Sequence, residues 1–139
     1  MSHRIGLLDT SVVLRMEELA PSDLPDEAVI CAITLAELSV GPLVAADESE
    51  RAARLTQVQE VEADYGDPLP FDAAAARAFA QVSADLRRNG GTSKARAFDA
   101  LIAATAKAAQ LPLYTFNARD IATVTGLEVV DLSAQQSAR

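Results

Sequence analysis

The chain has 139 residues, half of them apolar, 4% aromatic and none tryptophan. This is enough for one ordinary domain with a sizeable core, and it argues against an RNA-recognition surface built on stacked aromatics. Net charge is -8: residues 1–72 hold 15 acids against 4 bases and residues 73–139 hold 5 acids against 8 bases, so the whole repels a polyanion at long range while a local basic strip can still hold a phosphate backbone.

Arg4 to Leu8 reads as a short buried strand ending at Asp9, and Thr10 or Ser11 can cap a helix over Val12–Glu18. Ala20 to Asp26, with two prolines, is a loop. Ala28 to Ile33 is apolar and partly β-branched, so it reads as a second buried strand. Thr34 followed three residues later by Glu37 matches a capping box for a helix from Leu35 to Gly41-Pro42. Asp47 to Asp64 has helical spacing, Leu69-Pro70-Phe71 is brief and extended, and Asp72 caps an Ala-rich helix reaching Arg88. Asn89 to Ser93 is a loop. Ala95 to Ala109 is a helix with Phe98, Leu101, Ile102 and Thr105 on one face. Leu111–Phe116 is a strand, Asn117–Thr123 a helical turn and Leu127–Leu132 a last strand.

No apolar run approaches the roughly 20 residues needed to span a bilayer. The N-terminus shows no signal-peptide pattern, and a single cysteine, Cys31, allows no internal disulfide. A cytoplasmic location is therefore expected. Cys31 reads as a buried structural thiol, and His3, the one histidine, as a solvated terminal residue. Alternating strands and helices predict an α/β fold with a parallel sheet covered on both faces. In such sheets ligands bind beyond the carboxyl ends of the strands.

Four acids stand beside apolar runs: Asp9, Glu37, Asp99 and Asp120. A carboxylate pressed into apolar surroundings costs folding energy unless something charged meets it. Asp9, Glu37 and Asp120 follow expected strands and so fall at one sheet edge. Asp99, early in a largely apolar helix, is the hardest to explain as a cap or a solvated charge. Together they predict a cation site. Carboxylate oxygens suit Mg²⁺ or Mn²⁺, and zinc is disfavoured because no Cys or His partner is at hand. An ion so held relieves the mutual repulsion of the acids and can activate water against a phosphodiester.

The segments Leu7-Leu8-Asp9-Thr10-Ser11, Ile33-Thr34-Leu35-Ala36-Glu37-Leu38, Asp99-Ala100-Leu101-Ile102-Ala103-Ala104-Thr105-Ala106 and Thr115-Phe116-Asn117-Ala118-Arg119-Asp120 occur in that order. The set resembles the PIN-domain ribonucleases, and within them the VapC toxins of VapBC toxin–antitoxin systems, from Leu7 to Leu132. The resemblance implies a single PIN-like domain over residues 1–133, an α/β/α sandwich with a central mainly parallel sheet, followed by a polar tail at 134–139. It implies an Mg²⁺-dependent (or Mn²⁺-dependent) endoribonuclease that cuts tRNA, rRNA or mRNA, forms a homodimer and is silenced by a cognate VapB-type antitoxin. Under it Asp9, Glu37, Asp99 and Asp120 are the catalytic acids, Asp9 and Asp99 the direct metal ligands. Thr115 and Asn117 line the site, and Ser11 sits beside the first ligand. Ile121 stands where the family often has Phe. Within the basic strip, Arg96 is the first candidate for a phosphate contact.

Two other enzyme classes fit less well. A haloacid-dehalogenase-type phosphatase needs Asp-x-Asp where this chain has Asp9-Thr10-Ser11. A receiver domain needs clustered acids after the first strand and a lysine after its last, and neither is present. The alternative from a different class is a catalytically inactive PIN-like module acting through protein–protein contacts.

Overall fold

The computed structural model describes residues 3–88 and 97–133. Four strands, β1 (Ile5–Leu8), β2 (Glu27–Val29), β3 (Leu113–Thr115) and β4 (Val129–Asp131), form one sheet in the order β2-β1-β3-β4. Every pairing in it is parallel. The helices are α1 (Thr10–Leu14), α2 (Ala32–Val40), α3 (Glu48–Tyr65), α4 (Ala73–Arg88), α5 (Ala97–Ala109) and α6 (Ala118–Ile121). Short 3₁₀ turns occupy Met16–Glu18, Pro21–Asp23 and Gly41–Val44.

The two faces of the sheet carry separate cores, and strand alternation decides which residue serves which face. Leu7 and Leu113 join the cluster under α4 and α5, with Val82, Ile102 and Ala103. Leu8 and Tyr114 point the other way, into a cluster with Val12, Leu38 and Val61 from α1, α2 and α3. This is the predicted α/β sandwich. Gly6 allows a close approach in the second layer: a Cβ there would lie 2.5 Å from Tyr114 Cε1.

Several expected boundaries move. Asp9 itself caps α1, its side chain accepting from Val12 N–H, so neither Thr10 nor Ser11 is the cap and the helix is shorter than Val12–Glu18 suggested. β2 is confined to Glu27–Val29 and is partly exposed, because it lies at the sheet edge. Ile30 and Ala32, on either side of Cys31, bond instead to Leu69: Leu69 N–H donates to the Ile30 carbonyl and Ala32 N–H to the Leu69 carbonyl. The Cys31 carbonyl then accepts from Thr34 and Leu35, so α2 starts at Ala32 with Cys31 as its cap. Thr34 is therefore inside the helix, fully buried, and no capping box forms. In α5, Ile102 and Thr105 are buried as expected, while Phe98 is 45% exposed and Asp99 only half-buried. By contrast Asp72 caps α4 as read from the sequence, accepting from Ala75 N–H, and Asp47, expected only as the first residue of a helical stretch, caps α3 by accepting from Glu50 N–H. The Asn89–Ser93 loop, Lys94, Arg96 and the tail at 134–139 lie outside the described residues.

Candidate active site

Asp9 follows β1 at the carboxyl edge of the sheet and is 4% exposed. Three donors converge on it. Ser11 Oγ and Val12 N–H donate to Oδ1 at 2.6 and 3.2 Å, and the Thr115 hydroxyl donates to Oδ2. The two hydroxyls are themselves held by the turn after β3. Ser11 Oγ accepts from Phe116 N–H at 3.3 Å, and Thr115 Oγ1 accepts from Asn117 N–H at 2.9 Å. A backbone turn thus aims two side chains at one buried carboxylate, 106 residues away in the case of Thr115. Arg15 stacks on the Phe116 ring, 3.9 Å from its centroid, and forms a fork with Glu18, which braces the same turn.

Glu37, one turn into α2, is tied to this site by Thr10. The Thr10 hydroxyl donates to Glu37 Oε1 at 2.6 Å and lies 3.0 Å from the Thr34 hydroxyl. Burial pushes the carboxyl groups of both Asp9 and Glu37 above their ordinary values, against the pull of the donated hydrogen bonds. Repulsion from Asp9 raises Glu37 further. The two acids are therefore electrostatically coupled, and both are poorly compensated as anions.

Asp99 lies in the first turn of α5 and Asp120 within α6, both half-buried. Asn117 is exposed at the start of the α6 turn. Among the described residues no three acids, histidines or cysteines are gathered closely enough to cage an ion as they stand. An ion that keeps most of its water shell and takes only one or two carboxylates fits that arrangement, which is the habit of Mg²⁺. The oxygen-only character of the side chains around Asp9 (Glu37, Ser11, Thr10 and Thr115) suits the same hard cations.

Thr10 and Thr34 were not among the sequence candidates. Thr34 carried the signal of a helix cap, and only the packing of α1 against α2 shows that it meets Thr10. Asp131 is a second omission: it pairs in register with Thr115 and so sits at the same sheet edge.

The PIN domain family model matches residues 6–127. The chain is 38% identical over 130 residues to Ribonuclease VapC5 of Mycobacterium tuberculosis, covering 91% of this chain and 93% of that protein. It is 36% identical over 104 residues to Ribonuclease VapC8 of the same species, covering 74% and 91%. Among solved structures it resembles VapBC-5 of Mycobacterium tuberculosis, a member of the VapBC family of toxin–antitoxin systems, with a TM-score of 0.75 and 32% identity over 92% of this chain and 98% of that one. VapBC-1 of nontypeable Haemophilus influenzae, at 20% identity and a TM-score of 0.72, shares the fold. The extent of these matches, together with the parallel sheet and the acid at the end of its first strand, shows that the chain belongs to the PIN-domain family, as a VapC-type member.

Proposed function

We propose that this chain is a divalent-metal-dependent endoribonuclease and the toxin half of a type II toxin–antitoxin pair. The observation that carries the reading is Asp9: a carboxylate almost sealed from water, aimed by two hydroxyls, and paired with a second uncompensated acid, Glu37. Such a group is costly unless a cation meets it. Asp9 and Asp99 are proposed as the direct ligands, with Glu37 and Asp120 completing the acidic surround. An ion bound there activates water and offsets the charge of a phosphodiester. Ser11 and Thr115 fix the direction of the Asp9 oxygens, and Thr10 holds Glu37, which feels the charge of Asp9. RNA as the substrate is supported by the ribonuclease names of the curated relatives.

A VapB-type antitoxin is the proposed partner, supported by the toxin–antitoxin assembly named for the similar solved structure. The surface offers such a partner purchase. Val40, Leu43, Val44 and Leu55 are large apolar side chains left exposed around the end of α2 and the start of α3, Leu43 by 79%. They lie in the half of the chain that carries the acidic excess, so an inhibitor with apolar anchors and basic flanks is complementary to it.

The test is cleavage of labelled cellular tRNA and rRNA by the purified protein with Mg²⁺ or Mn²⁺, and then with excess EDTA. Metal-dependent cleavage that is lost in Asp9→Asn and Asp99→Asn is expected. Intact RNA under every metal condition would overturn the nuclease reading in favour of an inactive binding module.

A further inference from the structure

Beside the candidate site, an open hollow of about 400 Å³ is lined by Phe116, Asn117, Arg119, Asp120, Asp131 and Ser133, together with Ala118. Its size falls in the range of small-ligand sites, roughly 300–1,000 Å³. It opens across the next two strands from Asp9, with Phe116 and Asn117 after β3 and Asp131 two strands away on β4. Thr115, which donates to Asp9, is the register partner of Asp131, and Leu132 N–H donates to the Thr115 carbonyl at 2.9 Å. Neighbouring strands are about 4.8 Å apart, so Asp131 stands roughly 10 Å across the sheet from the β1 edge that carries Asp9, a distance comparable to that from a phosphate to the edge of its own base.

We infer that this hollow is a nucleobase subsite that selects guanine beside the scissile bond, with Asp131 as the residue that reads the base. The inference rests on the nuclease reading above. Asp131 and Arg119 both line the hollow, so it offers a neutral base edge a carboxylate acceptor together with a guanidinium donor. Asp131 is pre-aimed. Ser133 donates to its Oδ1 twice, from N–H at 2.9 Å and from Oγ at 2.6 Å. These bonds hold its carboxyl below the ordinary range, so it stays an acceptor. Guanine alone among the RNA bases carries two adjacent N–H donors, N1–H and N2–H, on its Watson–Crick edge, beside an O6 that an arginine can meet. Stacking contributes little, because the Phe116 ring is 8% exposed and covered by Arg15. Discrimination therefore falls to the base edge.

The experiment uses short RNAs that differ only in the nucleotide on either side of the mapped cut, cleaved by wild type and Asp131→Asn, with Mg²⁺ affinity measured by calorimetry on both proteins. Wild type is expected to prefer guanine at one flanking position by about tenfold or more. Asp131→Asn should bring that preference within about twofold while Mg²⁺ affinity is unchanged. A wild type indifferent to guanine, or a variant that keeps the preference, overturns the inference. Loss of Mg²⁺ affinity in the variant overturns it too, by placing Asp131 in the metal site. Titration with GMP and UMP, followed by the amide signals of Asp131 and Ser133, separates this from the nuclease reading. If no RNA is cut, shifts with GMP but not UMP sustain the subsite and only the nuclease reading falls. No shift with GMP overturns the subsite itself.

Discussion

Replacing Asp9 with asparagine tests whether the site is built for a cation at the expense of the metal-free fold. The wild-type carboxylate is 4% exposed and accepts from Ser11, Val12 and Thr115, yet burial still lifts its titration above the ordinary value of 3.8. A carboxyl raised in the folded state contributes stability below its unfolded pKa and loses it as pH rises through the folded one, so at neutral pH the ionised Asp9 weakens the fold. Each pH unit of displacement corresponds to about 1.4 kcal/mol. Asparagine removes that cost and the repulsion on Glu37. Its Oδ1 keeps the Ser11 and Val12 bonds, but its amide now donates to Thr115, whose proton loses an acceptor at a cost of about 1 kcal/mol. Release of the buried charge outweighs that loss, so the variant should melt above wild type in EDTA at pH 7.5. The gain should shrink at pH 5. Saturating Mg²⁺ should reverse the order, since an ion at 100 times its Kd stabilises wild type by about 2.7 kcal/mol. Thermal melts under these three conditions check it. A variant clearly less stable than wild type in EDTA at pH 7.5, or a difference indifferent to pH, would refute the reasoning.

Thr115→Val keeps the shape of the side chain but strips Asp9 of one donor and Asn117 N–H of its acceptor; denaturant unfolding should show a loss of about 1–3 kcal/mol, and cleavage should fall steeply. Gly6→Ala forces a methyl to within 2.5 Å of the Tyr114 ring; about 1–3 kcal/mol of overpacking is expected, and a melt unchanged from wild type would contradict the packing of β1 on β3. Asp85 is nearly sealed at the end of α4 and accepts from the Thr125 N–H and hydroxyl and from Gln81, and the Thr125 backbone bond above all holds its carboxyl below the ordinary range. Its stabilisation is present above the usual carboxylate pKa and fades as pH falls through the lowered one, so Asp85→Asn should lower Tm at pH 7 and by less near pH 3.

Much of the fold was legible because it is written in local chemistry. The apolar run closing on Asp9, the cap Asp72 and the alternation of strands with helices all act over a few residues, and each appears where the pattern put it. Where local patterns failed, a distant contact had overruled them. Thr34 and Glu37 have capping-box spacing, yet the bonds of Ile30 and Ala32 to Leu69 end the extended segment early and start α2 before Thr34. Phe98 fits the apolar periodicity of α5, but periodicity does not say how wide the covered stripe is, and Phe98 falls outside it.

The site divides along the same line. The residue types alone already pointed to an oxygen-ligand cation chemistry, since carboxylates beside apolar runs are costly wherever the chain takes them. Which groups converge was decided only by the sheet order β2-β1-β3-β4, which lays β3 against β1 and so brings Ser11 and Thr115 onto one carboxylate. The same order makes β4 the neighbour of β3 and sets Asp131 beside Thr115. Those distances in space bear no relation to distances along the chain, so no spacing in the sequence could have announced the hydroxyl pair on Asp9, the Thr10 bond to Glu37, or the hollow at the end of β4.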